Sequence, residues 1–145
     1  MDILRSHWSA GPAAGSAGPL LVSLTEFTAD RALDLPGIAR AGLRLRRGWP
    51  ELDGAVGLWL WTAPLRRTVG SVSVWTDEAS LRAFVGWRPH VEIMRHYRRR
   101  GRIRTESWTV ESLDLPQIWR TARRQLPLAA ADMAGSMRSG RGDGL

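Results

Sequence analysis

With 145 residues the chain is long enough for one domain with a real core and too short for two of ordinary size. Its apolar fraction of 43% and charged fraction of 24% are those of a soluble globular protein. No apolar run approaches the ~18 residues of a bilayer span, and the absence of cysteine excludes disulfides, thiol nucleophiles and thiolate metal sites. All 21 basic residues are arginine; GC-rich coding accounts for that bias, yet the net charge of +7 attracts anions whatever its origin. Nothing calls for an oxidising compartment, and Asp2 and Arg5 are followed by Gly, Ala, Ser and Pro instead of a leucine-rich stretch, so a cytoplasmic protein without a secretory leader is expected.

In chain order, residues 1–16 are rich in Gly, Ala, Ser and Pro and read as a disordered tail, as do residues 129–145; one domain is expected over 17–128. Residues 20–27 alternate with β-branched and apolar side chains, a first strand. Asp34 and Pro36 suit a helix start, and Leu35, Ile38, Gly42, Leu45 and Trp49 then recur at helical spacing until Gly48, with Arg40, Arg44 and Arg47 on the opposite face. Residues 54–62 and 68–75 form a strand pair around a short loop with Pro64. Thr76 or Asp77 caps a helix that Pro89 interrupts, and a second segment runs to about Arg100 before Gly101. Residues 104–110 alternate as a last strand, and residues 115–126 make a final amphipathic helix.

This βαββαβ(α) order predicts an α+β, ferredoxin-like fold with a four-stranded antiparallel sheet and both helices on one face. The strands are apolar on both alternating sets, Leu58 and Leu60 against Trp59 and Trp61, whereas a wet face would show polar residues. A second subunit covering that face is the simplest solution, so a homodimer is expected.

Two features bear on chemistry. On the second helical segment His90, Ile93, Met94 and Tyr97 fall at i, i+3, i+4 and i+7, which puts His90 on the inward stripe, while His96 shares a charged face with Glu92 and Arg99. A half-buried histidine can simply be satisfied by backbone; it can also move a proton, orient a carbonyl or bind haem iron. One inward histidine without an HxxxH or HExxH partner makes no zinc site. The second feature is the eight tryptophans. Trp59, Trp61, Trp75 and Trp108 lie on or at the ends of predicted strands, either as core or, with Ser71 and Ser73, as the wall of a pocket for a flat apolar ligand. The arginine run from Arg95 to Arg104 suits a solvated helix end beside Glu92 and Glu106. No RNP-type motif accompanies it, which argues against nucleic acid.

The stretch SVSVWTDEASLRAFVGWRPHVEIMR, with Trp75, the acidic helix start, Leu81, Phe84, His90 and Met94, resembles the dimeric α/β-barrel superfamily. Within it the nearest patterns are the spheroidene monooxygenase-like proteins and a related uncharacterised bacterial family; antibiotic-biosynthesis monooxygenases, haem-degrading monooxygenases and polyketide cyclases belong to the same superfamily. The resemblance marks Trp75 and His90, with Phe84 and Met94 beside them. Haem-degrading members carry an iron ligand on this second helix, nearer Met94 than His90 by spacing from Trp75, so the cofactor is either none or haem, with His90 the only candidate ligand. Cofactor-independent members oxidise electron-rich aromatic substrates by forming and holding a substrate anion. The expectation is a small monooxygenase-like enzyme of secondary metabolism, with His90 handling a proton and Tyr97 or Arg98 steadying an oxyanion. Trp59, Trp61, Ser71, Ser73, Trp75, Phe84, Met94 and Trp108 would bind its apolar substrate. A redox-free polyketide cyclase and a non-catalytic ligand-binding protein are the alternatives.

Overall fold

The computed structural model describes residues 3–126. Within the unit bounded by residues 2 and 113, six antiparallel strands form one sheet: β1 (Leu4–Arg5), β2 (Ser9–Ala10), β3 (Leu20–Ala29), β4 (Ala55–Ala63), β5 (Thr68–Trp75) and β6 (Gly101–Val110). Three helices connect them, α1 (Leu35–Arg47), α2 (Glu78–Val85) and α3 (Arg88–Tyr97). The long strands lie in the order β4-β5-β3-β6, the antiparallel arrangement of a ferredoxin-like fold, and β1 and β2 add to the outer edge of β4. A second unit begins at Asp114 and carries α4 (Leu115–Gln125), whose first turn is capped by Asp114 accepting the Gln117 N–H at 3.1 Å.

Local chemistry explains most boundaries. Asp77 caps α2 by accepting the Ser80 N–H at 2.8 Å, and that backbone bond holds its carboxyl below the usual aspartate range. Pro89 sits in the first turn of α3, where no N–H is needed, and Trp87 is the extended cap residue before it. Asp34, expected to cap α1, has helical backbone and makes no cap bond. A 3-10 turn over Ala32–Asp34 already leads the chain into α1, and the Asp34 carboxylate instead accepts from Arg100 at 3.2 Å.

Strand register assigns the two faces of the sheet. Thr25 and Phe27 of β3, Leu58 and Leu60 of β4, and Val69, Ser71, Ser73 and Trp75 of β5 share the face beneath the helices. One core cluster there is Trp49, Ala55, Leu58 and Trp75, with Leu81 and Phe84 packed on it; another joins Phe27, Ala29 and Val69 to Leu35, Ile38 and Tyr97. The opposite set, Val22, Leu24, Trp59, Trp61, Val72 and Val74, is buried within the chain.

One expectation changes here. The segment read as a disordered tail over 1–16 instead supplies β1 and β2. Trp8 meets Trp59 edge to face at 4.6 Å and lies over Gly57, where any β-carbon would collide with the indole. The Arg5 guanidinium stacks on Trp59 at 4.9 Å. A tail of low bulk can hold a fixed course when one large aromatic anchors it and its backbone pairs with a sheet edge. The apolar set for which a second subunit was the expected cover is buried in the single chain, and this leaves the homodimer neither shown nor excluded. The expected tail over 129–145 lies outside the described residues.

Candidate functional site

Between the helix-side face of the sheet and helices α1 and α3 lies a cavity of about 440 Å³, wholly inside the first unit. Phe27, Thr25, Leu60 and Ser71 contribute to its floor, Ile38 and Gly42 come from α1, and His90, Ile93, Met94 and Tyr97 line it from α3. The last four are the inward stripe predicted from their spacing. Phe84 adds an aromatic wall from α2, and Leu4 and Ser6 of the N-terminal segment complete one side. The volume falls in the range that holds a drug-sized ligand, and apolar walls with few polar groups are the usual form of such a site.

His90 is held in the cavity by one backbone hydrogen bond and one ring contact. Its Nδ1 lies 3.0 Å from the carbonyl oxygen of Val85, one of the last carbonyls of α2 and therefore without a helical partner. A carbonyl can only accept, so Nδ1 carries the hydrogen and, in the neutral ring, Nε2 is left with a bare lone pair. The ring packs 4.7 Å from Phe84. Burial pushes the imidazole below its usual pKa, against the opposing pull of the Val85 bond. The result is a neutral base of fixed tautomer in an apolar pocket.

Tyr97 meets the Phe27 ring edge-on at 6.5 Å, and its hydroxyl lies against Gly37, within 2.6 Å of where a β-carbon would stand. Glycine at 37 therefore makes room for the phenol. Of the other residues singled out in the sequence, Ser71, Phe84 and Met94 line the cavity from the helix side; Trp61 borders it from a strand position whose register belongs to the opposite face, and Arg98, Trp59, Ser73, Trp75 and Trp108 do not line it. Arg98 follows the last turn of α3 and is exposed, about 100° round the helix from Tyr97. Trp59 and Trp108 belong to the opposite face of the sheet, Trp59 under Trp8 and Trp108 across from Val22. Ser73 and Trp75 share the face of Ser71 but are spent on structure. The Trp75 Nε1–H donates to Ser73 Oγ at 2.9 Å, and the indole packs against Trp49 at 5.0 Å and Phe84 at 5.2 Å. Sequence reasoning missed Thr25 and the N-terminal wall. Alternation along β3 could have found Thr25, and Trp8 was the signal that its neighbours are held.

Haem does not fit this cavity. A porphyrin carries two propionates, which need cations. The only arginine among the lining residues is Arg5, whose guanidinium is stacked on Trp59 at the opposite sheet face. Among the described residues no group of three or more His, Asp or Glu side chains converges as a metal site. No described helix is long and apolar enough to cross a membrane.

No family profile matches the chain, and no curated protein matches it by sequence. Solved structures do. A ferredoxin-fold protein of Listeria monocytogenes related to antibiotic biosynthesis monooxygenases superposes with a TM-score of 0.52 at 16% identity, covering 63% of this chain and 57% of that one. SnoaB, a cofactor-independent oxygenase from Streptomyces nogalater, superposes at 0.51 with 16% identity, over 69% of this chain and 99% of its own. NE2512 of Nitrosomonas europaea, a protein of unknown function, reaches 0.58 at 13% identity over 70% and 98%. The chain thus has the ferredoxin-like fold of antibiotic-biosynthesis-monooxygenase-related proteins. That is the fold of the superfamily which the stretch from Trp75 to Met94 resembles.

Proposed function

We propose that this protein is a small monooxygenase-like enzyme that works on an apolar, polyketide- or polyene-like intermediate of secondary metabolism without a bound cofactor. One observation carries the proposal: His90 presents a neutral imidazole with its tautomer set by Val85 to a pocket whose walls are mostly apolar. Such a group takes a proton from an acidic C–H or phenolic O–H of the substrate, and the low-dielectric walls strengthen its electrostatic hold on the anion that forms. The electron-rich anion then reduces dioxygen, the co-reactant. At an activated methylene, one oxygen atom enters as a carbonyl and the other leaves as water with the two hydrogens. The fold shared with SnoaB supports this chemistry by analogy.

The same base could instead enolise a chain for ring closure without oxygen, which is the cyclase alternative, and a pocket without turnover would be a binder. Oxygen uptake with a panel of hydroxylated polycyclic aromatics separates them. Uptake by the wild type that is lost in a folded His90→Ala variant is the expected result. Uptake retained in the variant overturns the role of His90, and conversion without oxygen moves the assignment to the cyclase. A homodimer, implied by the superfamily resemblance, belongs to the proposal; light scattering should return twice the 16.1 kDa chain mass.

A further inference from the structure

Five hydroxyl-bearing residues line the cavity: Ser6, Thr25, Thr62, Ser71 and Tyr97. Two are already engaged. Ser6 Oγ accepts the Leu60 N–H at 3.0 Å, and Thr62 Oγ1 donates to the Thr68 carbonyl at 3.3 Å. Tyr97 is held at the α1 side against Gly37. Thr25 and Ser71 differ. They are directly opposed across β3 and β5, on the helix-side face, and among the described residues neither side-chain hydroxyl has a hydrogen-bond partner. Directly opposed residues of antiparallel strands place their β-carbons about 5 Å apart, so two hydroxyls there can reach one shared atom between them. On that face Ser71 is flanked by Leu60 and Thr25 by the exposed Thr105; one row along lie Val69 and Phe27, and on the other side Ser73 and Ser23, of which Ser73 is already engaged with Trp75. A pair of idle hydroxyls in a mostly apolar cavity is a polar point aimed at whatever the cavity holds.

We propose that Thr25 and Ser71 form a two-hydroxyl clamp for a single ketone or phenolate oxygen of the ligand, so that the pocket selects flat oxygenated molecules over the bare hydrocarbons of the same shape. This rests on the reading of the cavity as an apolar small-molecule site and names the substrate class within it. An sp² oxygen has two lone pairs and accepts both O–H groups at once; a charge that grows on that oxygen strengthens both bonds. A bare hydrocarbon displaces water from the hydroxyls and returns nothing, leaving two desolvated polar groups. The clamp also fixes which edge of a flat ligand rests on the sheet, and so which atoms lie toward the α3 side, where His90 is.

The test compares 9-fluorenone with fluorene, the same tricycle with and without the oxygen, by titrating tryptophan fluorescence of the full chain. Wild type should bind the ketone about tenfold more tightly, the effect of two modest hydrogen bonds. The Thr25→Val, Ser71→Ala double variant should bring the two affinities within about twofold by weakening the ketone alone. The infrared carbonyl band of bound fluorenone, shifted down from its position in hexane by the wild type, should return toward that position in the variant. Equal affinities in the wild type, or an unshifted carbonyl band there, overturn the clamp and leave the apolar pocket standing, and this arm needs no variant to fold. A ketone preference that survives in the folded double variant overturns the assignment to Thr25 and Ser71. Binding of neither tricycle overturns the pocket reading and the clamp with it.

Discussion

His90 owes its chemistry to its burial, and burial gives that chemistry a pH signature. Because the folded ring binds a proton less readily than the unfolded one, the unfolded state takes up more protons as pH falls below about 6.5, the usual histidine value. Stability should therefore drop as pH falls through the window below that value and stay flat above it, as far as His90 is concerned. A series of urea midpoints at stepped pH checks this, with the slope reduced in His90→Gln. If His90 is the base, kcat/KM should fall on the acid side with a midpoint below the usual value, because the neutral form persists there. A midpoint above it would argue against His90 as the base.

A second residue-scale expectation concerns Glu26, nearly buried on the opposite face of the sheet and held by Arg104 at 2.9 Å. Arg104→Met strands that carboxylate. The expected loss is about 2 kcal/mol in urea unfolding, below the ~3–5 kcal/mol of a fully buried pair, because Arg104 keeps part of its surface in water. His90 and Tyr97 were legible from helical spacing alone, since every fourth residue of an amphipathic helix repeats one face. The same period already sets Arg98 100° away from Tyr97, and the structure adds that Arg98 follows the last turn of α3 and is exposed.

Among the elements, the long strands and helices follow from local patterning, and β5 has the bounds 68–75 that its alternation predicts. The N-terminal segment behaves differently. Its composition is that of a linker, and only pairing to β4 and the seat of Trp8 over Gly57 give it a course. Trp8→Ala should cost about 2 kcal/mol, less than a fully buried tryptophan because Trp8 is half-exposed, and should raise hydrogen exchange at residues 4–10. Gly57→Val should reproduce that exchange pattern with the indole still present, since its side chain would occupy the site of the ring. Removal of the Asp77 cap by Asp77→Ala is a smaller, local change, visible as a slight drop in the urea midpoint.

At the scale of the whole molecule, an absorption spectrum of protein purified from haem-supplemented cells should show no Soret band, given a cavity without a cation directed into it. A Soret band that disappears in His90→Ala would overturn that expectation. The ferredoxin-like order of strands and helices was determined by the sequence itself, through periods of two and of 3.6 residues that persist in any context. So was the inward stripe of α3. Only tertiary structure decided which polar groups meet. It seated the Val85 carbonyl against His90 Nδ1, set Thr25 opposite Ser71, gave Ser73 to Trp75, and buried Trp59 under Trp8 rather than in the pocket. Apart from Ser73 and Trp75, which are neighbours on one face of β5, these are pairings between residues distant in the chain or across a break between helices. Periodicity assigns a side chain to a face; which partner it finds there depends on register and packing between elements.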